Sequence, residues 1–115
     1  MKLKLTIDSK VFTATLENNA SVTSFLARLP LTIKMIELNG NEKYGDLSTK
    51  LPSNPSSPGT IQAGDLMLYG DRTVVLFYKT FSTSYAYTRL GHIDDASEWA
   101  AILGPGNVTV SFGPA

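Results

Sequence analysis

The sequence contains no cysteine. That absence excludes disulfides, thiolate metal sites and cysteine nucleophiles. Histidine is nearly absent too, and His92 alone cannot build a histidine-rich metal centre. An excess of one charge is also missing, since ten Lys and Arg balance ten Asp and Glu. Nucleic-acid binding requires a basic footprint, so no nucleic-acid partner is expected. Only Arg28, Arg72 and Arg89 supply guanidinium groups. No apolar run approaches the roughly 20 residues of a membrane span. The opening MKLKLTI alternates polar and apolar residues, where a signal peptide needs a solid apolar block. The chain therefore reads as a cytoplasmic protein with no membrane partner, although an exported form trimmed of its leader would read the same way. Near-zero net charge lowers colloidal repulsion, which makes weak homo-oligomerisation an expectation. No glycine-rich phosphate loop and no GxSxG elbow occur. No cofactor, metal or catalytic residue is assigned.

What remains is a chain of 115 residues with the pattern of one β-rich domain, 1–115. Asp65–Lys79, DLMLYGDRTVVLFYK, is two apolar stretches hinged at Gly70-Asp71, a β-hairpin. Lys2–Asp8 and Val11–Leu16 alternate and predict an N-terminal hairpin. Asn19 or Ser21 starts a short helix with Val22, Phe25, Leu26 and Leu29 on one stripe, ended by Pro30. Strands are predicted over Leu31–Leu38, Glu42–Asp46, Tyr85–Ile93 and Asn107–Phe112. Ser48 to Gly59, with Pro52, Pro55 and Pro58, is an irregular loop, functional or merely tolerated. Ile61–Gly64 reads as a turn, and Phe81–Ser84 as an exposed loop. Asp94 to Glu98 reads as a second helix start, its acids at the positive end of the dipole. The tally is seven or eight strands and one or two short helices, a mainly β domain best closed into a barrel.

The order of these elements, with NGNEKYGDL, IQAGDLMLYGDRTVVLFYK and TRLGHI, resembles the bacterial cyclophilin-like domain family. The likeness covers nearly the whole chain, and Gly64-Asp65-Leu66 and Arg89–Ile93 carry most of it. It implies a closed or nearly closed β-barrel, a small version of the cyclophilin one. Cyclophilins proper are peptidyl-prolyl isomerases that set an arginine beside an apolar pocket. Their phenylalanine-and-glutamine stretch is absent here, where Ile61-Gln62-Ala63-Gly64-Asp65 has one glycine before the aspartate. The family's catalytic arginine has no assigned counterpart.

Five residues stand out as ligand-binding candidates: Glu42, Tyr44, Tyr87, Arg89 and His92. Glu42 and Tyr44 share a side of any extended stretch and precede the long loop. Arg89 alternates with Tyr85 and Tyr87. An arginine beside tyrosines holds a carbonyl or carboxylate, or merely snorkels across the rings. His92 is a general base, or a side chain bonded to the following turn at Asp94 or Asp95. Asp46 and Asp65 fix turns. The expectation is a binding domain for a peptide or small polar ligand. Its groove would lie between Tyr44–Gly59 and the strand of Tyr87, Arg89 and His92. The alternatives are prolyl isomerisation, and self-association through strand edges or the Phe81 loop.

Overall fold

The computed structural model describes residues 1–115. The strands are β1 Lys2–Ile7, β2 Lys10–Leu16, β3 Leu31–Leu38, β4 Glu42–Asp46, β5 Thr60–Ile61, β6 Asp65–Tyr69, β7 Thr73–Phe77, β8 Phe81–Ser82, β9 Thr88–Ile93 and β10 Val108–Pro114. Eight of them close a barrel in the order β1-β10-β3-β4-β7-β6-β9-β2, every pair antiparallel. Closure leaves no unpaired edge in the barrel sheet itself, and β5 and β8 form a separate two-stranded ribbon. No helix is long and apolar enough to cross a membrane.

Alternation explains the walls. Leu3, Leu5 and Ile7 of β1, Ala14 and Leu16 of β2, and Val110 and Phe112 of β10 all point into the core. The central hairpin departs from alternation because both its faces are covered. Leu66, Leu68, Val74 and Leu76 face the barrel interior, while Met67, Val75 and Phe77 join a second cluster on the outer wall with Ile61 and Tyr87.

Helix α1, Ala20–Leu26, lies between the end of β2 and the start of β3, so it sits at one barrel end. Its cap is Asn19, whose side chain accepts from the Val22 N–H at 2.8 Å. The other candidate, Ser21, instead donates its hydroxyl to the Pro52 carbonyl. Phe25 meets Phe112 edge-on at 5.7 Å. Helix α2, Trp99–Leu103, lies between β9 and β10 at the opposite end.

Three local expectations need correction. Thr60–Ile61 and Phe81–Ser82 pair as a two-stranded ribbon, where the sequence pattern predicts a turn and an exposed loop. Phe81 is thereby half-buried, 5.6 Å from the Phe77 ring. Second, β9 starts at Thr88, and Tyr87 before it bridges to Ser56 of the proline-rich loop. Third, α2 begins at Trp99 with no acidic residue in its first turn. Asp94 lies outside the helix and binds Lys2 at 2.8 Å, Thr13 at 2.9 Å and Thr15 at 2.5 Å. Its carboxyl is pulled down to about 2, mainly by the Lys2 and Thr15 hydrogen bonds.

The β2–β9 junction is tight. Gly91 sits opposite Leu16, and a Cβ there would collide with the Thr15 carbonyl oxygen and press on Leu16. Backbone cannot yield as a side chain can. Gly91→Ala is therefore expected to cost about 1–3 kcal/mol and lower Tm by roughly 5–15 °C, measured by thermal denaturation. An unchanged Tm would show that the two strands can separate without penalty.

Candidate functional site

Strand β4 organises the outer wall. Glu42, Tyr44 and Asp46 lie on one side of it, at every second residue. Across the ladder they face Phe77, Val75 and Thr73 of β7. On the other flank Glu42 pairs with Leu38, and Tyr44 with Ile36, both exposed residues of β3. The side chains between these flanks leave a trough of about 440 Å³. Leu38, Glu42, Tyr44, Asp46 and Val75 line its floor and near side, and Tyr69, Tyr85 and Tyr87 form its far wall. It runs from the β3–β4 turn to the β6–β7 turn. At a strand rise of about 3.3 Å per residue, Glu42 and Asp46 stand roughly 13 Å apart along it.

The tyrosine wall is braced by ring contacts. Phe77 meets Tyr87 edge-on at 5.5 Å, Tyr87 meets Tyr69 at 5.7 Å, and Tyr69 meets Tyr85 at 6.3 Å. Tyr87 is held from behind by the long loop. Its N–H donates to the Ser56 carbonyl at 3.0 Å, and its carbonyl accepts the Ser56 N–H at 2.9 Å. That loop is itself fixed. Arg28 donates to the Thr49 and Lys50 carbonyls at 2.7 Å each, and the Asn54 N–H donates to the Thr88 hydroxyl at 3.0 Å. The proline- and serine-rich segment thus positions one wall of the trough.

Two groups in the trough carry electrostatic cost. Burial pushes the Glu42 carboxyl up, with a further push from the nearby Glu37 carboxylate. Burial likewise raises the Tyr87 hydroxyl, assisted by the Glu42 charge. The Glu42 carboxylate takes part in none of the chain's three salt bridges.

The five sequence candidates separate into three places. Glu42, Tyr44 and Tyr87 meet in the trough. Arg89 does not join them. After Arg89 comes an extra residue in β9, Leu90, because Leu66 pairs with Gly91 but Met67 with Arg89, so the change of parity reaches His92 and not Arg89. Arg89 is exposed and lines a separate, mostly polar depression of about 330 Å³ with Asn19, Ser53, Asn54 and Ser56. His92 lines neither concavity. Its Nδ1 lies 2.8 Å from Asp65 Oδ1, so its partner is Asp65 and neither Asp94 nor Asp95. Buried Asp65 also accepts the Gln62 N–H at 2.8 Å, the turn-fixing role expected of it. Asp46 instead accepts the hydroxyl of Thr73, its partner across the β4–β7 ladder, at 2.7 Å, a strand-to-strand contact in place of the turn expected of it.

Sequence reasoning passes over Tyr69 as a site residue and takes Tyr85 only as a residue alternating with Arg89. The usable signal is spacing. Met67 and Tyr69 share a face of β6, and a tyrosine at the solvent end of an otherwise apolar strand has a polar tip to place.

Comparison with known proteins agrees with this architecture. The family model described as the cyclophilin-like family matches residues 5–113. The chain belongs to the cyclophilin-like family. The cyclophilin-like barrel is also similar to the solution structure of the hypothetical protein AF2241 from Archaeoglobus fulgidus, with a TM-score of 0.66 and 16% identity. That superposition covers 100% of this chain and 95% of the archaeal one. The likeness is thus one of fold, and it is not confined to bacterial proteins. No curated protein matches the chain.

Proposed function

We propose that this cyclophilin-like domain is a binding module that takes a peptide or small polar ligand in the outer trough, without strong catalysis of its own. One observation carries the reading. Residues far apart in sequence, from Leu38 to Tyr87, converge on a single braced concavity of about 440 Å³ on an otherwise closed barrel. Ligand sites are typically concave, largely apolar, and furnished with a few placed polar groups. Prolyl isomerisation is the less favoured reading. It rests on Arg89 beside an apolar pocket, and Arg89 lines the polar depression instead.

A thermal-shift screen tests the proposal. A ligand at one hundred times its Kd stabilises by about 2.7 kcal/mol, which moves Tm by roughly 10 °C. Hits are expected to lose their shift in Tyr85→Ala and keep it in Arg89→Ala. Both side chains are exposed, so both variants should fold. Shifts abolished only by Arg89→Ala would move the site to the polar depression. An absence of hits among peptides and small polar compounds would overturn the binding reading.

A further inference from the structure

We infer that the trough recognises a basic side chain, lysine or arginine, presented by an extended peptide. This inference rests on the trough being a binding site and names its ligand class. Charge complementarity is the first argument. Two carboxylates, Glu42 and Asp46, line the trough, and no lysine, arginine or histidine does. The chain as a whole is electrically balanced, so this is a local imbalance rather than a general acidity.

The second argument is the state of Glu42. Its carboxylate is half-buried beside tyrosine rings and has no cationic partner in the chain. An uncompensated, partly desolvated anion is costly, and a bound cation removes that cost. A neutral sugar would stack on the same rings but leave the charge uncompensated. The third argument is the wall itself. Four tyrosines, Tyr44, Tyr69, Tyr85 and Tyr87, offer ring faces and edges to one volume. Ammonium and guanidinium groups are attracted to such faces, most strongly where water is excluded.

Shape favours a peptide as the source. The trough is elongated along β4, with its two carboxylates roughly 13 Å apart. That length suits a long side chain with flanking backbone, whereas a compact ammonium would fill only one end. Exposed Ile36 and Leu38 of β3 flank the same channel and offer apolar contact to neighbouring peptide residues.

The test uses four probes on the 15N-labelled full chain, read from backbone amide shifts of Glu42, Tyr44, Tyr69, Tyr85 and Tyr87. The probes are acetyl-Gly-Lys-Gly-amide, its norleucine and glutamate counterparts, and a neutral disaccharide. The lysine peptide is expected to shift these amides saturably and to bind about tenfold tighter than the norleucine peptide. Its binding should weaken with added salt. Glu42→Gln should remove the preference for lysine while raising Tm at neutral pH. The sign follows from the raised carboxyl: the folded state holds the Glu42 proton more tightly than the unfolded chain. The penalty is absent below the unfolded value and fully present above the folded one. The Tm gain should therefore vanish in acid. Equal binding of the norleucine or glutamate peptide, or preference for the disaccharide, would overturn the cationic inference while leaving the trough a binding site. Failure of every probe to move these amides would overturn both.

Discussion

Lys43→Met is expected to destabilise the domain by about 3 kcal/mol or more, a fall in Tm of roughly 10–20 °C. Lys43 is fully buried, with a side-chain exposure of 0%. Its ammonium donates to Glu37 Oε1 at 2.9 Å and to the Gly104 and Gly106 carbonyls at 2.6 and 2.5 Å. It also lies 5.2 Å from the centre of the Tyr78 ring. The two carbonyls belong to the chain just after α2, so one cation fastens that helix to the barrel end. Methionine keeps most of the volume and removes all three hydrogen bonds. The expected loss comes from the Gly104 and Gly106 carbonyls left without this donor and from the Glu37 carboxylate left without its cation, although Glu37 Oε1 keeps the Tyr78 hydroxyl at 2.6 Å.

The same variant should show a particular pH profile. Burial alone would raise the Glu37 carboxyl, but the Tyr78 hydroxyl, Lys43 and the Gly40 N–H together hold it below its ordinary value. Tyr78 stays protonated to make this bond, its hydroxyl pushed up to about 12 by burial and by Glu37. A lowered carboxyl contributes stability above its unfolded pKa, and that stability is lost as pH falls through the folded value. Removing Lys43 shrinks the lowering. The difference between parent and Lys43→Met should therefore be largest near neutral pH and narrow in acid. Urea denaturation followed by Trp99 fluorescence measures it, since Trp99 is the sole tryptophan. A difference that stays constant down to strongly acid pH would rule out the Glu37 linkage.

Trp99→Ala is expected to cost about 3–5 kcal/mol. Trp99 is completely buried and meets the Phe12 ring edge-on at 4.9 Å. Its Nε1–H donates to the Phe77 carbonyl at 2.9 Å. Phe77 ends β7, and its carbonyl accepts from this side chain as well as from the Gly64 N–H. Truncation would open a large cavity and remove one of the two hydrogen bonds that this carbonyl accepts, the other coming from the Gly64 N–H at 2.8 Å. Trp99→Phe separates the two effects: it retains most of the packing and should lose about 1 kcal/mol, the worth of a typical hydrogen bond. Circular dichroism during denaturation reads both variants. Equal losses for Ala and Phe would mean that the hydrogen bond, rather than the volume, dominates.

Much of the wall is legible because alternation is a physical signature of a half-buried strand. Leu3, Leu5 and Ile7, or Val108, Val110 and Phe112, can only be arranged one way around a core. The central hairpin is legible from its Gly70 hinge, which adopts φ 63°. Pairs of two residues such as Thr60–Ile61 and Phe81–Ser82 have no periodicity to read, so their ribbon escapes a sequence reading. Lys43 escapes it for another reason. A lysine in NEKYG reads as solvated, and only the tertiary arrangement supplies the carboxylate and carbonyls that make its burial tolerable. The site is half legible. Strand parity places Glu42 with Tyr44 and Arg89 with Tyr87, but Arg89 stands beyond the trough in a separate depression, and the bulge at Leu90 shifts parity only after it, turning His92 outward against its sequence parity.

The barrel's closing seam has a kinetic consequence. Leu3 pairs with Pro114, so the ring is sealed by segments from opposite extremes of the sequence. The β6–β7 hairpin is local, but its inner face is fully lined only when the distant β1–β10 pairing is also made. Topologies governed by such distant contacts fold in about milliseconds to seconds, far slower than helical bundles of similar size. Assembly of the interior therefore draws on strands from across the whole chain, and the wall that carries the outer trough is complete only when that seam is closed.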